Sequence, residues 1–337
     1  DNLIENQENQ LNNEKESKSE GVAPEKIVTI TTKVIKQESI TDQKRNFHAR
    51  ALQKQLFSPY QRTNHKMIGV WSPVHSAGVT TIVFNFALFL AKHRIDISVL
   101  EGAGNAEHIL KEEWLERYTD VPTNWISYAK ALQTEDLANK NVNWIYKDVK
   151  YFPFDREDKH INWDKSLLEL YMTTTKMVDV TIVDYSTGEL SSLNRQSLSY
   201  LDEFWIVGDH RYLTYYSWKN YIRQLKDHFH LPIHLIMNQT YEASPSIQFS
   251  KDLSVPLLAS IPSIHEAISL SHLGKTPLYE MEIMDSSTKQ PISVAELLNP
   301  AFYVMAKHLI ERELIKVPQP PSRKTIKNIW MKWLKRG

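Results

Sequence analysis

Apolar and polar positions divide the chain into stretches of different character. Residues 1 to about 26 are Asn, Gln, Glu, Lys and Ser with almost nothing to bury, which predicts disorder. Ile27 to Ile35 alternates β-branched and polar side chains (Val28, Ile30, Thr32, Val34) and predicts one short strand. Another polar stretch runs to about Lys66 and contains a short predicted helix around Ala49 to Leu56. From Met67 the pattern changes. Strand-like apolar runs recur at Met67–Ser72, Ile97–Glu101, Trp144–Phe152, Val180–Asp184, Phe204–Gly208, Ile233–Asn238 and Leu257–Ile261. Most are near-continuous, as expected of strands covered on both faces. Helical periodicity fills the intervals, for example Thr81–Lys92 and Thr214–His228, and a last helix is predicted over Pro300–Ile315. The alternation predicts an α/β fold, a mainly parallel sheet wrapped by helices. Val317-Pro-Gln-Pro-Pro321 then reads as a stiff extended spacer. The expected organisation is a polar segment 1–66, a domain 67–316, a spacer 317–322 and a terminal helix 323–337.

Composition narrows the chemistry. The chain has 337 residues and no cysteine, which excludes a disulfide framework, a thiolate zinc site, an iron–sulfur cluster and a thiol nucleophile. No apolar run approaches the ~18 residues of a spanning helix; the stretch Ile82–Ala91 is short and interrupted by Asn85. Forty basic residues balance forty acidic ones, but the cancellation is uneven. From Arg323 onward there are six basic residues and no acidic one, so the remainder is mildly acidic. A globally basic nucleic-acid surface is not indicated, and no nucleic-acid partner is expected.

The segment Met67-Ile-Gly-Val-Trp-Ser-Pro-Val-His-Ser-Ala-Gly-Val-Thr-Thr81 stands where a phosphate loop would sit in such a sheet. A working loop, G-x-x-x-x-G-K-[ST], presents backbone N–H groups, a helix N-terminus, a lysine and a magnesium-binding hydroxyl. Here the frame holds Pro73, Gly78, Val79 and Thr80, so only the second glycine and the hydroxyl survive. Each survivor has a structural reading as well. Gly78 can serve a tight turn, Thr80 and Thr81 can cap a helix, and Asn238 can bond a neighbouring backbone group. Asp184 ends an apolar strand, where ligands gather in this topology. His75 could replace a lost cation or be a solvated loop histidine.

The order of these parts resembles the MinD/ParA family of deviant Walker A ATPases. That family reads S-G-K-G-G-V-G-K-T-T where this chain has Ser72 to Thr81; Ser72, Gly78, Thr80 and Thr81 match. The family's signature lysine falls on Val74 and its ordinary loop lysine on Val79. Ile97–Asn105 resembles the strand with the D-x-D switch, whose acids become Glu101 and Ala103. Val180–Gly188 resembles the strand ending in D-x-x-x-G and keeps Asp184 and Gly188. Ile236-Met-Asn-Gln239 resembles the strand whose asparagine, here Asn238, contacts adenine. Leu257–Pro262, His265-Glu-Ala267 and Gly274-Lys-Thr-Pro277 resemble the family's I-P…E-A…G-x-P run. The resemblance spans about Met67 to Ile315. It implies a nucleotide site at Gly78, Thr80, Thr81, Asp184 and Asn238, and a homodimer; with Val74 in place of the bridging lysine, that dimer should depend little on nucleotide.

Phosphoryl transfer is mostly positioning and charge stabilisation, so losing both lysines and the switch carboxylate predicts little or no hydrolysis. Pro73 also withdraws a backbone donor from the loop. No cofactor is required on this reading, with ATP and magnesium binding weakly at most, and no residue is assigned as catalytic. No residue is assigned to metal either. Asp227-His228-Phe229-His230 with His234 nearby lacks a second cluster spaced to complete a site.

The tail carries the strongest signal from first principles. Ile326, Ile329, Trp330, Trp333 and Leu334 follow i, i+3, i+4, i+7, i+8 and share one helical face. Lys324, Lys327, Lys332, Lys335 and Arg336 surround it. Tryptophans suit the headgroup boundary, and cations near anionic lipid gain ~1 kcal/mol each. The tail also resembles MinD's membrane-targeting helix. The expectation is a degenerate MinD/ParA-like protein, peripheral on the inner face of the cell membrane in the cytoplasm. It would organise a pilus, secretion or division machine through protein partners, as TadZ/CpaE-like members do. The alternatives are an active ATPase or tyrosine-kinase-like relative with an unusual loop, and a soluble partner-binding module whose tail docks in a protein groove.

Overall fold

The computed structural model describes residues 40–56, 65–105, 110–134, 137, 139–241, 244–284 and 290–310, all within one unit, Ser39–Gly337. The expected strand at Ile27–Ile35, the proline spacer and the basic tail lie outside the described residues.

Eight strands form one sheet: β1 (Lys66–Trp71), β2 (Ile97–Glu101), β3 (Trp144–Tyr146), β4 (Val149–Phe152), β5 (Val180–Asp184), β6 (Glu203–Gly208), β7 (Ile233–Thr240) and β8 (Leu257–Pro262), in the order β3-β4-β2-β5-β1-β6-β7-β8. Every pairing is parallel except β3 with β4. A small antiparallel pair, β9 (Glu282–Met284) and β10 (Pro291–Ser293), lies outside it. Trp144–Phe152, expected as one strand, is therefore a hairpin. Lys147 and Asp148 at its tip both have positive φ, 51° and 63°, as a two-residue type I′ connection needs.

β1 alternates between the two faces of the sheet. Ile68 and Val70 join a core under the helix Val79–Lys92, while Met67 and Trp71 join the core on the other face. α1 (Ile40–Leu56) begins nine residues before the expected short helix, and its Ala49, Leu52 and Leu56 are buried in that second core. An Arg45–Asp164 ion pair of 2.6 Å ties it to the helix Lys165–Thr173. α2 (Val79–Lys92) is buried almost all round, between the sheet and the helix Val294–Leu309. Each Ile, Val, Phe or Leu so buried contributes about 1.5–3 kcal/mol.

Asn85, the polar interruption in α2, is fully used. Its Nδ2 donates to the Thr81 carbonyl at 2.7 Å, and its Oδ1 accepts from the Tyr279 N–H at 2.8 Å. The helix expected over Thr214–His228 is two, Tyr212–Ser217 and Lys219–Phe229, meeting at Trp218. The last helix starts at Val294, six residues before the Pro300 expected to open it, so the proline sits in its interior. No helix among the described residues is long and apolar enough to cross a membrane.

Candidate functional site

The C-terminal ends of β1, β5, β2 and β7 converge where the chain turns from β1 into α2. In open parallel sheets this edge is the usual ligand position, because strand order reverses there and helix N-termini face it. The turn is built from backbone and short side chains. Ser72 Oγ accepts from the Val74 N–H at 3.2 Å and meets the Tyr215 hydroxyl at 3.2 Å. The Ser72 carbonyl accepts from the Gly188 N–H at 3.0 Å, which joins the loop to the turn after β5.

Gly78 precedes α2 with φ 90°, a left-handed conformation that favours glycine. A Cβ there would lie 2.5 Å from Asn238 Nδ2. Asn238 in turn donates to the Ala77 carbonyl at 2.8 Å, so its amide braces the loop. Both residues thus have the structural employment that the sequence left open for them. Thr80 and Thr81 are half-buried in the first turn of α2, which has no side-chain cap.

Asp184 ends β5 and is buried, with Oδ1 lacking any hydrogen-bond partner. Burial pushes its carboxyl up to about 7, against the opposing effect of a hydrogen bond from Thr80. Glu101, its register partner on β2, is buried too. Burial raises Glu101 to about 8, opposed by the Phe154 N–H on its Oε2 at 2.8 Å and reinforced by Asp184 beside it. Ala103, at the second switch position, is buried.

Val74 and Val79 are 7% and 3% exposed, so apolar side chains occupy both places where the resemblance puts a lysine. A cation does reach the loop, from a residue not singled out in the sequence. Arg211 Nη2 donates to the His75 carbonyl at 2.8 Å, but the same guanidinium is held by the buried carboxylate of Asp209. The spacing of Asp209 and Arg211 after β6 was the only available signal. His75 bonds Thr187 Oγ1 through Nδ1 at 2.7 Å.

Next to the loop, a cavity of about 280 Å³ opens between α2, β7 and β8, lined by Gly78, Thr81, Asn238, Ile261, Ile264 and Phe302 among others. The chain resembles solved structures across most of its length. MinD of Pyrococcus horikoshii complexed with Mg-ADP matches at a TM-score of 0.56 and 18% identity, covering 75% of this chain and 99% of that one. A ParA family ATPase from Chlorobium tepidum matches at 0.54 and 20%, covering 72% and 99%. A chain of the MinC:MinD cell division complex of Aquifex aeolicus matches at 0.54 and 16%, covering 74% and 97%. The fold is that of the MinD/ParA ATPases. No family model and no curated protein matches the sequence.

The MinD/ParA frame allows the residues to be tested against a magnesium nucleotide. The orphaned Asp184 oxygen and the Thr80 hydroxyl suit a divalent cation. The loop does not suit a triphosphate: Val74 and Val79 offer no charge, and Arg211 is already paired with Asp209.

Proposed function

We propose that this protein is a catalytically degenerate MinD/ParA-like scaffold that associates with a membrane surface and positions a surface machine. The carrying observation is the pair of buried valines, Val74 and Val79, in the places of the two loop lysines. Phosphoryl transfer needs cations around the transferring group, and a low-dielectric loop without them cannot hold the charge that develops. In this reading Gly78, Thr80, Thr81, Asp184 and Asn238 preserve the architecture of the old pocket. ATP and magnesium bind weakly at most, and none is required.

The basic amphipathic pattern at 323–337 supports the membrane role, with 317–322 as spacer and 67–316 as the body. Lys324, Lys327, Lys332, Lys335 and Arg336 would meet anionic headgroups, while Ile326, Ile329, Trp330, Trp333 and Leu334 would enter the acyl boundary. The MinC:MinD complex of Aquifex aeolicus supports an expectation of protein partners for this fold. A homodimer is expected as well, formed with or without nucleotide. Steady-state hydrolysis by purified protein tests the reading. ATP turnover should be indistinguishable from that of Thr80→Ala, and turnover well above that control would overturn it.

A further inference from the structure

At the opposite end of the sheet from the loop, three side chains from distant parts of the chain converge. Glu203 opens β6, His234 is the second residue of β7, and His308 lies in the last turn of the helix Val294–Leu309. His308 Nε2 is 2.9 Å from Glu203 Oε2, and His234 Nδ1 is 3.4 Å from the same oxygen. One ligand atom from each residue lies within 4.8 Å of the other two. The two imidazoles cross edge to face with centroids 4.5 Å apart.

We propose that Glu203, His234 and His308 form a site for a first-row divalent transition-metal ion, zinc foremost. The donor set is the first argument. Two imidazoles and one carboxylate suit Zn²⁺, Co²⁺, Ni²⁺ and Cu²⁺, whereas Mg²⁺ and Ca²⁺ favour all-oxygen sites. The spacing is the second. Ligand atoms about 2.0–2.2 Å from a tetrahedral zinc lie roughly 3.3–3.5 Å apart; the two histidine–Glu203 separations are 2.9 and 3.4 Å, and all three atoms lie within 4.8 Å of one another. The third argument is the hydrogen-bond inventory. His234 Nδ1 is buried and makes no hydrogen bond of good geometry, its nearest charged neighbour being Glu203 Oε2 at 3.4 Å. A buried ring nitrogen in that position is free to act as a metal ligand.

Trp205 Nε1 also donates to Glu203 Oε2 at 3.0 Å, which holds the carboxylate in place. Side-chain exposures of 18% for His234 and 33% for His308 leave a path from solvent. Three protein ligands leave a fourth position for water. A bound ion would clip the end of the last helix to the starts of β6 and β7, a structural role for a site that no local spacing announces. It does not use the histidines at 228 and 230.

The test is metal binding by the full chain, measured by competition with a chromophoric chelator for Zn²⁺ and by the visible absorption of added Co²⁺. The expected result is one Zn²⁺ per chain at micromolar affinity or tighter, with Co²⁺ bands of tetrahedral or five-coordinate intensity. His308→Ala, at the partly exposed position, and the isosteric Glu203→Gln should each weaken Zn²⁺ at least tenfold. They should also abolish the rise in Tm that Zn²⁺ gives the wild type. The double change His228→Ala/His230→Ala should leave affinity and Co²⁺ spectrum unaltered. Absence of stoichiometric Zn²⁺ binding by the wild type would overturn the proposal. So would unchanged affinity in both His308→Ala and Glu203→Gln, since each leaves the rest of the core intact.

Discussion

Glu101 and Asp184 stand side by side in register on the parallel strands β2 and β5, both buried, with burial pushing their carboxyls up to about 8 and about 7. Two adjacent carboxyls in a low dielectric cannot both ionise cheaply. The pair is therefore a source of pH-dependent stability.

The ordinary values of these groups are 4.5 and 3.8, so between those and the raised values the folded chain holds protons that the unfolded chain has released. Their contribution to stability is unpenalised below about pH 4. It falls as pH rises, by roughly 1.4 kcal/mol per pH unit for each group at most, and levels off above about 8. Denaturant titrations from pH 5 to 8 should show stability declining. Glu101→Gln and Asp184→Asn should each flatten the decline and gain most at pH 8. A pH slope unchanged in both variants would contradict the pairing.

Gly78→Ala should destabilise the fold by roughly 1–3 kcal/mol, because alanine is strained at positive φ and its Cβ meets Asn238. Asn238→Ala removes the obstructing amide, so the double variant should lose less than the sum of the two singles. Additive losses in a urea-unfolding cycle would show that the two residues do not brace one another.

Returning charge to the loop should return affinity. Val74→Lys places a cation at the position of the family's signature lysine, and Val79→Lys at that of the ordinary one. Whichever of these stays folded by circular dichroism should bind Mg-ADP at least tenfold more tightly than wild type, about 1.4 kcal/mol. Calorimetry with and without magnesium reads this directly. No gain in either folded variant would mean that something other than missing charge limits the pocket.

Trp330→Glu/Trp333→Glu should cut partitioning onto anionic vesicles by at least tenfold, and raising salt should weaken wild-type binding by screening Lys324 to Arg336. Co-sedimentation that is indifferent to both changes would favour a protein groove as the tail's destination.

The parallel core was legible because doubly covered strands carry their signature locally: Val180–Asp184 and Ile97–Glu101 appear at the bounds their apolar runs predict. The hairpin at Lys147–Asp148 was not, since neither residue is a glycine or asparagine and the positive φ values leave no mark in composition. Pro300 suggested a helix start because proline favours first turns, yet the apolar face of Val294, Ala295 and Leu298 carries the helix back past it. At the candidate site, Gly78, Asp184 and Asn238 were singled out through the resemblance to the MinD/ParA motifs. The employment of Asn238 on Ala77 and the neutralisation of Arg211 by Asp209 depend on tertiary contact. Glu203, His234 and His308 lie on three separate elements, beyond the reach of any local pattern.

A membrane-associated scaffold of the kind proposed works without a nucleotide switch. Vesicle co-sedimentation of the full chain with anionic lipid, in the presence of Mg-ATP, Mg-ADP or no nucleotide, tests both halves together. Substantial binding of equal extent is expected in all three conditions, unchanged by Thr80→Ala. Binding that requires Mg-ATP and is lost in Thr80→Ala, or no binding in any condition, would contradict it.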